Sequence, residues 1–183
     1  GLTGGHSGVE IDKGRGNANV LMSRILRDAA EKAPIFIVSV EGGKKDNAIP
    51  RECLSEIIVE EDKAEAVKAA VEEAVNEIRE EFASSDADFN VTTELSDGCS
   101  VKAVTKEDSA KAVALIQSLP NGIMRMSQDI DNLVETSLNL GIISLDESGI
   151  CLRFALRSSV GVALKNLKNQ IACVSKTYGG SVE

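Results

Sequence analysis

The chain has 183 residues, enough for one large domain or two small ones. Its 43% hydrophobic and 27% charged composition is that of an ordinary globular protein, and no apolar run approaches the roughly 18 residues of a membrane-spanning helix. Acidic residues outnumber basic ones 29 to 20, a net charge of −9, which is the wrong sign for an indiscriminate nucleic-acid binder, and the one histidine is a poor supply for a self-contained zinc site.

In chain order, residues 1–11 are glycine-rich and suit a strand or loop that leads into a helix. A helix is predicted from about Asn17 to Lys32, with Leu21, Met22, Ile25 and Ala29 on one face. Asn17 or Asn19 can cap it, and Pro34 follows where a helix cannot continue. Ile35 to Val40 is a short β-branched run, so a buried strand, broken by Gly42-Gly43. Leu54 to Val59 is a second strand. Asp62 and Glu65 form a capping-box pattern opening a helix to about Phe82. Its apolar face is Ala64, Val67, Val71, Val75, Ile78 and Phe82, and its Glu/Lys face is solvated. Phe89, Val91, Thr93 and Leu95 alternate with polar residues, which predicts a half-buried strand.

After the Ser96-Asp97-Gly98 turn the order restarts. Cys99 to Thr105 reads as a strand and Lys106 to Leu119 as a helix, stopped by Pro120-Asn121-Gly122. Met124-Arg125-Met126 reads as core packing in a strand or loop. Leu133 to Leu145 is a long strand and Ile150 to Leu156 another. Ser158 to Tyr178 is a helix with Val160, Leu164, Leu167, Ile171, Val174 and Tyr178 on one stripe, and a last strand begins at Ser181. The expected fold is α+β: two tandem ferredoxin-like β-α-β-β-α-β units, residues 1–97 and 98–183, with antiparallel sheets and helices on one face. In the strand at 150–157, Leu152, Phe154 and Leu156 share one side. Cys151, Arg153, Ala155 and Arg157 share the other, so two arginines fall on the helix-free face, a candidate ligand or interface surface.

The N-terminus has no basic stretch or long apolar stretch of a signal peptide. Cys53, Cys99, Cys151 and Cys173 form no Cys-x-x-Cys pair, so they read as reduced thiols of a cytoplasmic protein. The missing initiator Met and a C-terminus that looks like the start of a strand read as the edges of a piece of a longer polypeptide. Gly14-Arg15-Gly16-Asn17-Ala18-Asn19 lacks the third glycine and the preceding strand of a dinucleotide fingerprint, and no phosphate loop is present. Gly4-Gly5-His6-Ser7-Gly8 sets the single histidine among glycines, where an imidazole can donate to an oxyanion or ligate a metal, or simply lie at the surface.

Gly1-Leu2-x-Gly4-Gly5-His6-Ser7-Gly8-x-Glu10-Ile11 and Gly14-x-Gly16-Asn17-Ala18-Asn19 resemble the aminoacyl-histidine dipeptidases (Xaa-His dipeptidase, peptidase D), relatives of the carnosinases among the co-catalytic zinc metallopeptidases. Gly43-x-x-x-Asn47-Ala48-Ile49-Pro50-Arg51, Val134-Glu135-Thr136-Ser137-Leu138-Asn139-Leu140-Gly141 and Leu156-Arg157-Ser158-Ser159 fit the same family. What this chain resembles is the lid, a domain inserted in the catalytic domain; the metal-ligand motifs are absent. The resemblance implies two zinc ions in the parent enzyme, where other divalent metals are an option, and none bound by this piece, so the isolated chain is expected to be inactive. It implies that His6 polarises the scissile carbonyl and steadies the oxyanion. Asn47 would hydrogen-bond the substrate backbone, and Arg157, with Arg153 as the alternative, would hold the substrate's C-terminal carboxylate. Its partners would be a dipeptide, its own catalytic domain and a second copy in a homodimer, with no nucleic acid or membrane. The rival readings are a non-catalytic ferredoxin-like dimerisation or interaction module, and a small-molecule regulatory domain.

Overall fold

The computed structural model describes residues 1–96 and 101–183. Helix α1 spans Ala18–Lys32. The Asn17 side-chain oxygen accepts from the N–H groups of Asn19 and Val20 at 3.0 and 3.3 Å, a cap that typically contributes about 1 kcal/mol. Leu21, Ile25, Leu26 and Ala29 bury its inner face. Ala33 is extended at φ −157°, as a residue before proline must be, and the helix ends there.

Strands β2 (Phe36–Gly42) and β4 (Cys53–Ile58) pair antiparallel. Before and between them, β1 (Gly5–His6) and β3 (Ala48–Ile49) form a separate two-residue ribbon. Helix α2 covers Ala64–Glu81 and buries Val67, Ala70, Val71, Ala74, Val75 and Ile78. Beyond the expected turn, which lies partly outside the described residues with Cys99, come α3 (Lys106–Ser118), β5 (Gly122–Met126), β6 (Val134–Asp146), β7 (Gly149–Ser158) and α4 (Gly161–Thr177).

The five longer strands make one antiparallel sheet in which β6 is the hub. Strand β7 pairs along β6 from Thr136 to Asp146. The opposite edge is therefore divided: β5 takes Val134–Leu138 and β2 takes Ile143–Leu145. In the gap, asparagine side chains replace the missing strand. The Leu140 N–H donates to Asn121 Oδ1 at 2.8 Å, and its carbonyl accepts from Nδ2 of Asn17 and Asn19 at 3.1 and 3.2 Å. Leaving such a buried group unpaired would cost about 1–3 kcal/mol. The division expected between residues 97 and 98 falls outside the described residues. One core joins Ile25, Ile37, Val71 and Ile78 from before it with Val113, Leu140, Ile143 and Leu145 from after it.

Several local expectations are corrected. No strand forms at 89–95: Phe89 is buried, while Val91 and Thr93 lie along α2 beside Val71 and Val75. Alternation there matches a helix groove, not a sheet. Residues 101–105 are not a strand either; the Val104 N–H makes a single bond to Ile37 O at 2.7 Å before Thr105 caps α3. The Asp62 capping box does not form. Asp62 sits in a 3-10 turn, Glu61–Lys63, and pairs with Lys63 at 3.0 Å. Met124 and Met126 lie in β5 but are exposed, on the outermost strand beside β6, rather than in the core. Residues 181–183 are not a strand.

Candidate functional site

The helix-free face of the sheet carries the candidate residues. Leu152, Phe154 and Leu156 of β7 pack into the helical side, while Arg153 and Arg157 are exposed on the other. On β6 the same alternation turns Leu138 and Leu140 to the helices and Ser137 and Asn139 away from them. The loop between β2 and β4 lies against this second face. Any side chain at Gly141 would collide with the Asp46 backbone, so glycine is what lets the loop approach. Asn139 Nδ2 then donates to the carbonyls of Asp46 and Ala48 at 3.0 and 2.8 Å. Those bonds hold the chain on both sides of Asn47, whose side chain stays exposed.

His6 is joined to this loop by the ribbon. His6 pairs with Ala48, and the Ser7 N–H donates to Asn47 O at 2.9 Å. The backbone of His6 is tied at both ends: its N–H donates to Glu10 Oε2 at 2.8 Å, and its carbonyl accepts from the N–H of Glu10 at 2.9 Å. Glu10 in turn meets Arg15 Nη1 at 2.8 Å, and Arg15 also donates to Gly4 O. The His6 N–H, and then Arg15, hold the Glu10 carboxyl below its ordinary range. The Gly8 N–H donates to His6 Nδ1 at 3.1 Å. An imidazole nitrogen that accepts carries no proton, so the neutral ring holds its hydrogen on Nε2. The ring is exposed.

The whole 3–16 segment is clasped by one buried carboxylate. Asp86 accepts the N–H of Thr3 at 2.6 Å and of Gly16 at 2.7 Å. Burial works to raise its pKa, yet these N–H groups outweigh it and keep the acid below its usual range.

Arg157 completes the group. A Cβ placed on Gly8 would lie 2.8 Å from Arg157 Nε, 2.9 Å from its Cζ and 3.0 Å from His6 Cε1. The guanidinium and the imidazole therefore meet across a bare backbone methylene. Arg157 forms no ion pair among the described residues. Arg153 is four residues along β7, roughly 13 Å away at strand rise. The ribbon sets His6 beside the Asn47 backbone, and Gly8 borders both His6 and Arg157, with Arg153 further along β7. No local sequence pattern marks the contact between Gly8 and Arg157, or Asn139 and Asp86 as the residues that hold the loops.

The donor set does not fit a metal. The single histidine uses Nδ1 as an acceptor for Gly8, and no cluster of three His, Cys, Asp or Glu occurs among the described residues. Cys53, Cys151 and Cys173 are free, and burial pushes the Cys53 thiol up to about 12, so it is no ready thiolate at neutral pH. A cleft of about 320 Å³ opens by the ribbon, lined by Arg15, Asn17, Ile49 and Asn139. Neither His6 nor Arg157 lines it, so these two residues face outward from an open surface.

Residues 1–86 match the family described as peptidase dimerisation domain. The chain is 32% identical over 184 residues to the cytosol non-specific dipeptidase of Escherichia coli (strain K12), covering 100% of this chain and 38% of that protein. It also matches the crystal structure of an aminoacylhistidine dipeptidase from Vibrio alginolyticus with a TM-score of 0.89 at 30% identity, covering 100% of this chain and 37% of that one. The chain spans less than two fifths of the length of either relative.

Proposed function

We propose that this chain, whose residues 1–86 match the family described as peptidase dimerisation domain, is the substrate-contacting lid of a metal-dependent dipeptidase acting on unblocked dipeptides such as Xaa-His. The observation that carries the reading is the meeting of His6 and Arg157 across Gly8. A peptide bond next to a free C-terminus presents a carbonyl and a carboxylate a few bonds apart, and these two side chains offer an N–H donor and a cation on either side of one glycine.

His6 donates its Nε2 hydrogen to the carbonyl oxygen as negative charge builds there. The Gly8 N–H fixes that tautomer before substrate arrives, so no reorganisation accompanies the reaction. Arg157 takes the terminal carboxylate, for which its planar fork is suited. Asn47 hydrogen-bonds the peptide backbone from the adjacent loop. Water activation and metal binding, with two zinc ions as the first choice, fall to the catalytic domain of the parent, so this chain alone is inactive. An open face of this kind encloses substrate only when a second surface closes on it. The parent is proposed to be cytoplasmic and to form a homodimer through this region, consistent with the family that residues 1–86 match.

The test is His6→Ala in the full-length enzyme. We expect kcat to fall about 10²- to 10³-fold, the usual cost of an oxyanion donor, with metal content and KM little changed. An unaltered kcat removes the oxyanion role.

A further inference from the structure

We propose that Gly8 is the specificity-determining residue of this lid: by bearing no side chain it sets the span between His6 and Arg157, and so selects a C-terminal residue that is an α-amino acid. The inference rests on the dipeptidase reading above and extends it to the substrate's backbone length.

Three features of Gly8 carry it. First, it is the shared contact of both groups, at 2.8 and 2.9 Å for the guanidinium and 3.0 Å for the imidazole as measured from its missing Cβ. Second, its φ is not in the left-handed region, so the backbone there admits any L-residue; what forbids a side chain is the space taken by His6 and Arg157. Third, those neighbours differ in freedom. The His6 ring is held by the Gly8 N–H and its backbone by Glu10, whereas Arg157 is the end of a flexible, exposed side chain. An added methyl would therefore displace the guanidinium and leave the imidazole near its place. Alanine keeps the N–H that fixes the His6 tautomer.

The consequence is a change of ruler. In an α-dipeptide, three bonds separate the scissile carbonyl carbon from the carboxylate carbon. A C-terminal β-amino acid adds one more bond of about 1.5 Å. With glycine in place, the closely set pair fits the shorter span. In the Gly8→Ala variant the cation stands further out, and the longer span gains relative to the shorter.

The experiment compares alanyl-alanine with alanyl-β-alanine on the metal-loaded full-length enzyme and its Gly8→Ala variant. We expect the α-dipeptide to lose at least about tenfold in kcat/KM, mainly through KM, and the α-to-β ratio of kcat/KM to move about tenfold toward the β substrate, the scale set by one methylene in a binding site. Thermal stability and metal content are measured alongside, and Gly8→Ser serves as a second variant of similar reach. A variant that only loosens the loop lowers both substrates alike, so parallel losses or an unmoved ratio overturn the proposal. Wild-type enzyme that cleaves neither peptide overturns the dipeptidase reading and, with it, the ruler. Wild-type activity on the α substrate with an unmoved ratio in both variants overturns the ruler alone.

Discussion

The segment that carries His6 and the strand that carries Arg157 solve opposite problems. From Thr3 to Gly16 the chain is tied at nearly every step. Asp86 holds both ends, Glu10 and Arg15 brace the middle, and Gly8 fixes the ring. Arg157 rises from a long paired strand, yet its guanidinium has no ion-pair partner among the described residues and lies beside the Gly8 backbone, on which the His6 ring also borders. The difference matches what each group is proposed to do. An oxyanion donor gains most when it is oriented before charge develops. A carboxylate anchor can be left without a protein partner, because its counter-charge arrives with the substrate.

The largest effect should come from cutting the clasp. Asp86→Ala leaves the Thr3 and Gly16 N–H groups without their acceptor, and we expect a loss of about 3 kcal/mol, read by thermal denaturation of the chain. The sign of its pH dependence follows from the lowered folded value. The carboxylate's contribution is complete above the unfolded value of 3.8 and fades as pH falls through the lower folded one. Native protein should therefore lose stability on acidification in that range, and the variant should show a flatter profile there. A variant as stable as the parent would mean that the segment is not held from Asp86.

Next is the free side of the comparison. Arg157→Met keeps an apolar stem of similar reach and removes the charge. Loss of a charge-assisted carboxylate contact is worth about 2 kcal/mol, so KM for a dipeptide should rise roughly 30-fold. Stability should hardly change, since that guanidinium is exposed and makes no ion pair among the described residues. A stability loss comparable to that of Asp86→Ala would erase the contrast between the two regions.

The sequence was informative in proportion to how local the governing contacts are. Helices α1, α2 and α4 are legible from apolar spacing, and the ends of α1 and α3 from the stop signals Pro34 and Pro120. The alternation in β7 placed Arg157 on the helix-free face without any structure. Periodicity fails where the packing partner is unexpected: Val91 and Thr93 alternate as a strand would, but lie along α2. Met124 and Met126 are apolar yet exposed on an outer strand. His6, Asn47 and Arg157 were named by motif resemblance, and their convergence depends on pairings no local pattern reveals. Gly16 meets Asp86 across 70 residues, and Asn139 holds Asp46 across 93. An asparagine or an aspartate in a loop carries no mark of which distant backbone it will bind.

The smallest expected effect sharpens the comparison most, because it separates orientation from charge inside the His6 segment. Glu10→Gln retains a side-chain oxygen able to accept the His6 N–H but no longer attracts Arg15 as an anion. If the backbone bond is what orients His6, kcat should drop by no more than about fivefold, the scale of a lost exposed ion pair, with KM unchanged. Glu10→Ala removes both contacts and should fall clearly below Gln in kcat. Acid should mimic the Gln variant. The lowered Glu10 value means the carboxylate persists below the ordinary 4.5 and is lost only as pH falls through the lower folded value. The difference in kcat between native enzyme and Glu10→Gln should therefore close on that acid limb and hold constant above it. If Gln and Ala are equally impaired at neutral pH, the Arg15 ion pair rather than the His6 hydrogen bond sets the ring, and the tightly held region owes its order to charge.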